Sequence, residues 1–237
     1  MMMENGIRHI AVYGDSILKG AITGTGSGNL FDITENDSLL LASRALDFEL
    51  TNRSVFGSTA VKTCRRLMRD LNNGINAELV IIESGGNDCD YDWAPVSATP
   101  DAPHAMRTDI GVFLRTMSEM AAECRMRRIT PLVMTLPPLI TERWFRHISR
   151  ELNQAHILRF LGGDYATLYR NHARYNMRLE ELCRREQIQT VDMRQAMLDA
   201  PDLPSLMCAD GIHPNEAGYR SMADVWIREL PKVRREF

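Results

Sequence analysis

Short continuous apolar runs alternate along this chain with amphipathic stretches of helical period. Residues 7–13 form such a run, closed by Gly14, and its length and flanks predict a buried strand. Residues 38–46 have helical spacing, with Asp37 or Ser38 as the capping residue. A second strand is predicted at 48–54, and an amphipathic helix at 59–71 that stops near Asn73-Gly74. Residues 79–83, Leu-Val-Ile-Ile-Glu, give the clearest strand signal, bounded by Gly85-Gly86. A long helix is predicted at 105–127, then a strand at 129–136 ended by Pro137-Pro138. A short strand at 188–192 and a closing helix at 215–229 complete the pattern. Unbroken apolar strands separated by helices predict one parallel sheet covered on both faces.

No internal repeat or low-complexity linker interrupts the pattern, so residues 1–237 read as a single α/β domain. The stretch 141–176 is long for one crossover. It carries two helical patterns around Leu161-Gly162-Gly163-Asp164 and reads as a helical insertion over one end of the sheet. Such an insertion suits a lid or a contact in a homo-oligomer.

Size and charge narrow the classes of function. A chain of 237 residues buries about 70–75% of the surface its unfolded form exposes, so it needs no disulfide or metal staple. A net charge of −3 argues against nucleic acid as the main partner, because phosphate binding wants a basic surface. The Arg-rich spots, around Arg125, Arg127 and Arg128 and at Arg234-Arg235, read as solvated helix faces or ends. No apolar run precedes the first strand and none approaches the length of a membrane span, so neither a signal peptide nor a membrane helix is expected. The cysteines, Cys64, Cys89, Cys124, Cys183 and Cys208, are odd in number and never spaced as C-x-x-C. They read as reduced, buried thiols of a cytoplasmic protein.

In an open parallel sheet, ligands bind beyond the carboxyl ends of the strands. Four unusual segments fall there. Gly14-Asp15-Ser16 follows the first strand, Val55-Phe56-Gly57-Ser58 the second and Gly85-Gly86-Asn87-Asp88 the third. Asp210-Gly211-Ile212-His213-Pro214 precedes the last helix. A serine hydroxyl needs a base to become a nucleophile, and a neutral histidine can serve. A carboxylate on the other ring nitrogen fixes the tautomer. Asp210 and His213 are three residues apart, with Gly211 to ease the turn and Pro214 to stiffen its exit. Ester cleavage also needs donors for an oxyanion. The Ser16 N–H, the Gly57 N–H and the Asn87 side chain can supply them. Taken singly, Ser16 could instead cap a helix, Asn87 shape a turn and His213 be structural.

Together these residues carry a family likeness. The chain resembles the SGNH subgroup of the GDSL-type serine esterases and lipases. The blocks are Tyr13-Gly14-Asp15-Ser16-Ile17 with Gly20, Asn52-Arg53-Ser54-Val55-Phe56-Gly57, Gly85-Gly86-Asn87-Asp88 and Asp210-Gly211-Ile212-His213-Pro214, in the expected order. The resemblance implies a triad of Ser16, His213 and Asp210, with an oxyanion hole formed by Ser16, Gly57 and Asn87. It implies a flavodoxin-like three-layer α/β/α fold on a five-stranded parallel sheet. It also implies hydrolysis of a small-molecule ester without a metal or organic cofactor. Acetyl esters of carbohydrates and other short acyl esters are favoured, since nothing in the chain suggests a long apolar tunnel. A lysophospholipase or thioesterase within the family is one alternative. A non-catalytic nucleotide- or sugar-binding module on the same fold is another.

Other motifs are weaker. Asp88, Asp90 and Asp92 suggest calcium, but an EF-hand would need Gly and Glu where Trp93 and Thr99 stand. Gly24-Thr25-Gly26-Ser27-Gly28 does not match G-x-G-x-x-G and reads as a loop beside the site. G-x-S-x-G is absent. Trp93, Trp144, Phe145 and His147 are either packing residues or part of a substrate pocket, Trp93, Trp144 and Phe145 being the candidate contacts.

Overall fold

The computed structural model describes residues 6–23 and 31–237. The chain runs β1 (His9–Tyr13), β2 (Ala21–Ile22), β3 (Asp32–Ile33), α1 (Ser38–Leu46), β4 (Glu49–Asn52), α2 (Ala60–Asn72) and β5 (Leu79–Ile82). It continues through α3 (Trp93–Ala98), α4 (Ile110–Met126), β6 (Thr130–Met134), α5 (Thr141–Ser149), α6 (Gln154–Phe160) and α7 (Ala166–Arg185). It closes with β7 (Gln189–Val191), α8 (Met193–Leu198) and α9 (Glu216–Glu229). Five strands form one sheet in the order β4-β1-β5-β6-β7, every pair parallel. The order reverses between β1 and β5, and the crevice where such a sheet takes ligands opens there.

Alternation along each strand sends side chains to two cores. Ile10 and Val12 of β1 join Leu79 and Ile81 of β5 beneath α1 and α9. Ala11 and Tyr13 join Val80 and Ile82 beneath α2, α4 and α7. The inner strands β1, β5 and β6 are buried on both faces, which is why they read as apolar runs, while the edge strands β4 and β7 stay partly exposed. The result is the three-layer α/β/α arrangement.

Two elements differ from the sequence expectation. The helix predicted from residue 105 starts only at Ile110. Asp109 caps it, accepting from Gly111 N (2.8 Å) and Val112 N (3.2 Å). Arg107 N and Thr108 N instead bond back to the carbonyls of Asp90 and Asp88. Where 141–176 suggests two helical patterns, three helices occur, and the third runs to Arg185. Its inner face packs Tyr175, Leu179 and Leu182 into the second core, so α7 is the crossover helix that leads to β7. Within 141–176, α5 and α6 stand apart from this crossover. With α3 they bury a separate cluster of Trp93, Val96, Phe145, Ile148, Ile157 and Leu161. All five cysteines are buried, unpaired thiols. Among the described residues, no helix is long and apolar enough to cross a membrane.

Candidate active site

β1 ends at Tyr13 and the chain turns at once. Ala21 N donates to Ser16 O (2.9 Å) and Lys19 N to Asp15 O (3.1 Å), which holds Ser16 on a tight turn above the sheet. Gly14 is required at the entrance: a Cβ there would lie 2.9 Å from Glu83 Oε2 and 3.2 Å from Leu18 Cβ. Asp15 is buried and accepts from Ile17 N (2.9 Å), so its carboxylate stiffens the turn from inside.

The loop before α9 brings the base to this turn. His213 Nε2 lies 2.8 Å from Ser16 Oγ, and His213 Nδ1 lies 2.7 Å from Asp210 Oδ2. Asp210 Oδ1 accepts from Ile212 N (3.0 Å) and His213 N (3.1 Å). Burial alone would raise the Asp210 carboxyl, but the bonds from the His213 ring and the two amides outweigh it and hold the group below its ordinary value. An ionised carboxylate only accepts, so Nδ1 carries the proton and Nε2 is free to take one from Ser16. Gly211 has φ +79°, and a Cβ on it would lie 2.6 Å from Ile140 O. Ile140 N donates to Gly211 O (2.7 Å), which ties the start of α5 to the loop that carries the base.

Asn87 follows β5 and borders Ser16. Its Nδ2 donates to Asp15 Oδ2 (2.8 Å), which orients the amide and leaves its second N–H unspent. Gly57 lies in the turn after β4 at φ +64°. Neither the Gly57 N–H nor the Ser16 N–H has a hydrogen-bond partner among the described residues. Beneath the turn lies a layer of buried acids. Glu83 Oε2 accepts from Asp15 N (3.1 Å), and burial, then the charge of Asp15, hold Glu83 well above its ordinary range. Burial also raises Asp15. Asp88 accepts from Ala60 N at the start of α2 (3.0 Å), while burial lifts its carboxyl to about 6.

Ser16 and His213 open onto a cleft of about 670 Å³, counting its mouth. Ser16, Asn87 and His213 form one wall. Leu139 after β6, Trp144 of α5, and Leu168 and His172 of α7 line the cleft as well. Of the candidate substrate contacts, Trp144 lines the cleft and stacks on His147 (5.4 Å). Trp93 and Phe145 do not line it. They sit in the cluster under α5 and α6, Trp93 with its indole N–H on Asp90 Oδ1 (2.9 Å). Their apolar surface is consumed in joining the added helices to α3.

Other residues enter the site without any signal in the sequence. Phe31 sets its edge against the His213 ring (5.0 Å) and stacks on Phe56 (5.8 Å). Leu168 and His172 reach the cleft from α7. A lone aromatic or a helical histidine has no local pattern that marks it. Of the aspartate run, Asp88 and Asp90 are already satisfied: Asp90 accepts from Trp93 and pairs with Arg107 (3.3 Å). The stretch Gly24-Thr25-Gly26-Ser27-Gly28 lies outside the described residues.

The model of the GDSL-like lipase/acylhydrolase family matches residues 12–221. No curated protein matches the chain by sequence. Among solved structures, the chain is similar to a lipase/acylhydrolase from Enterococcus faecalis, with 18% identity, a TM-score of 0.64, and coverage of 97% of this chain and 99% of that one. It is similar to a carbohydrate acetylesterase from Sinorhizobium meliloti, with 14% identity, a TM-score of 0.68, and coverage of 95% and 99%. It is also similar to a psychrotrophic esterase from Pseudoalteromonas sp. inhibited by monoethylphosphonate, with 15% identity, a TM-score of 0.58, and coverage of 95% and 97%. At these identities the likeness is one of fold.

Proposed function

The chain belongs to the GDSL-like lipase/acylhydrolase family, and on that premise we propose that it cleaves carboxylic esters with Ser16 as nucleophile. The observation that carries the reading is the unbroken relay from Ser16 Oγ to His213 (2.8 Å) and on to Asp210 (2.7 Å). His213 Nε2 takes the Ser16 proton as Oγ attacks the ester carbonyl. The Asp210 carboxylate steadies the imidazolium that results. The Ser16 N–H, the Gly57 N–H and the second Asn87 N–H hold the oxyanion. Collapse of the tetrahedral intermediate expels the alcohol, which takes its proton from His213, and leaves the acyl group on Ser16. Water then enters. His213 removes its proton, and a second collapse frees the acid.

Short acyl esters, acetyl esters of carbohydrates among them, are the substrates we favour. A cleft that mixes Leu139 and Leu168 with Asp90 and His172 supports this over a long aliphatic chain. One of the similar structures is a carbohydrate acetylesterase, which supports it further. We place the protein in the cytoplasm on its free, buried cysteines.

Ser16→Ala tests the nucleophile. Hydrolysis of p-nitrophenyl acetate is expected to fall by on the order of 10⁴–10⁶ in kcat. A rate within tenfold of wild type would remove Ser16 from the role.

A further inference from the structure

The cleft beside Ser16 is lined by a histidine that the chemistry above does not use. His172 is only 6% exposed and lines the cleft beside Leu168. Its Nδ1 lies 3.1 Å from Arg194 Nη1. A guanidinium always donates, so Nδ1 is the acceptor and the ring proton resides on Nε2. Burial first, and the Arg194 charge second, push the His172 imidazolium down to about 3, so the ring stays neutral.

Nε2–H has no hydrogen-bond partner among the described residues. With Nδ1 held by Arg194, Nε2 is the ring nitrogen left for the cleft that His172 lines. Asp90, the carboxylate of the same cleft, accepts from Trp93 Nε1 (2.9 Å), pairs with Arg107 (3.3 Å) and makes no hydrogen bond to His172. Arg194 is itself 8% exposed, held by Leu136 O (3.3 Å) and set over the Tyr169 ring (5.1 Å). A buried cation directly behind the ring strengthens Nε2–H as a donor. A buried donor aimed at a binding space disfavours a ligand that leaves it unpaired.

We infer that His172 is a specificity-determining residue, donating from Nε2 to a substrate oxygen beyond the scissile ester. It would thus select esters that carry a hydroxyl, ether or carbonyl oxygen at that point. The inference rests on the ester hydrolase reading. The oxygen could belong to the acyl group or to the alcohol, and the recognition chemistry is the same.

Two isosteric pairs of esters separate these sources. The acyl arm sets p-nitrophenyl methoxyacetate against p-nitrophenyl butyrate. The alcohol arm sets ethoxyethyl acetate against pentyl acetate. Each kcat/KM ratio is divided by the ratio of alkaline hydrolysis rates, which removes intrinsic reactivity. Wild type is expected to favour the oxygenated ester of one pair by about tenfold to a hundredfold. His172→Phe is expected to bring that ratio close to unity. His172→Gln, which keeps an N–H near the Nε2 position, is expected to restore most of it. Wild-type ratios near unity in both pairs would overturn the inference, and that measurement needs no variant to fold. So would a preference that survives in active His172→Phe. A wild-type chain inert toward all these esters would instead overturn the hydrolase reading.

Discussion

The wall of the cleft that carries Ser16, His213 and Asp210 is made of short loops at strand ends, whereas the wall that carries Trp144, Leu168 and His172 is made of helices. In the first, polar groups are bound to one another. Asp210 receives three hydrogen bonds, Asp15 binds Asn87 and Ile17, and Glu83 receives the Asp15 amide. In the second, Trp144 and Leu168 stand with Asn171 and with a histidine that is held by Arg194 on one side and whose outer nitrogen has no partner among the described residues. A pre-ordered loop wall suits charge that develops in a transition state. A helical wall with one open donor suits discrimination between substrates. Changes on the loop wall should therefore lower kcat for every ester. Changes on the helical wall should alter the ratios between esters.

The largest effect within this contrast belongs to Asp210→Asn. The neutral amide favours the wrong imidazole tautomer, and kcat should fall by on the order of 10⁴ for all esters tested. A loss that varied from ester to ester would break the division between the walls. Next comes Asn87→Ala, with an expected loss of about 100- to 1000-fold in kcat and little change in KM. A change confined to KM would move Asn87 to the substrate-selecting side.

The smallest effect concerns the acid layer beneath the loop wall. Glu83 keeps its proton in the folded chain well above its ordinary value of 4.5. The folded state thus binds more protons than the unfolded one in that window, and stability falls as pH rises through it. Glu83→Gln removes this titration while keeping an acceptor for the Asp15 amide. Its unfolding free energy should gain on wild type by up to about 1.4 kcal/mol per pH unit above that value. That corresponds to roughly 2–4 °C in Tm per kcal/mol. A gap that stays constant with pH would mean that Glu83 is equally charged in both states.

The same contrast explains what was legible in the sequence. The three inner strands β1, β5 and β6 could be read because they are buried on both faces and rich in apolar residues, whereas the edge strands β4 and β7 are partly exposed and carry polar residues. Ser16, Asp210 and His213 could be read because loop geometry forces particular residues close together. Gly211 next to Asp210 and Gly14 before Asp15 are examples, since a Cβ at either would collide with its surroundings. The helical wall leaves no such mark. His172 is one polar residue among many on the 20-residue α7, and only the path of the neighbouring elements brings it to the cleft that Ser16 also lines. Trp93 and Phe145 erred the other way: large aromatics beside the site were candidates for substrate contact, but joining α5 and α6 to α3 buries them. The early start assigned to α4 failed because its first turn is outcompeted by bonds from Arg107 N and Thr108 N to the carbonyls of Asp90 and Asp88.

Covalent capture tests the central claim most directly. Wild-type protein is treated with an alkyl fluorophosphonate, and the intact mass and the modified peptide are read by mass spectrometry. One phosphonyl group per chain is expected, on the peptide that contains Ser16, with none on Ser16→Ala and much slower labelling of His213→Ala. An unlabelled chain that still hydrolyses esters, or a group attached at another residue, would contradict Ser16 as the nucleophile.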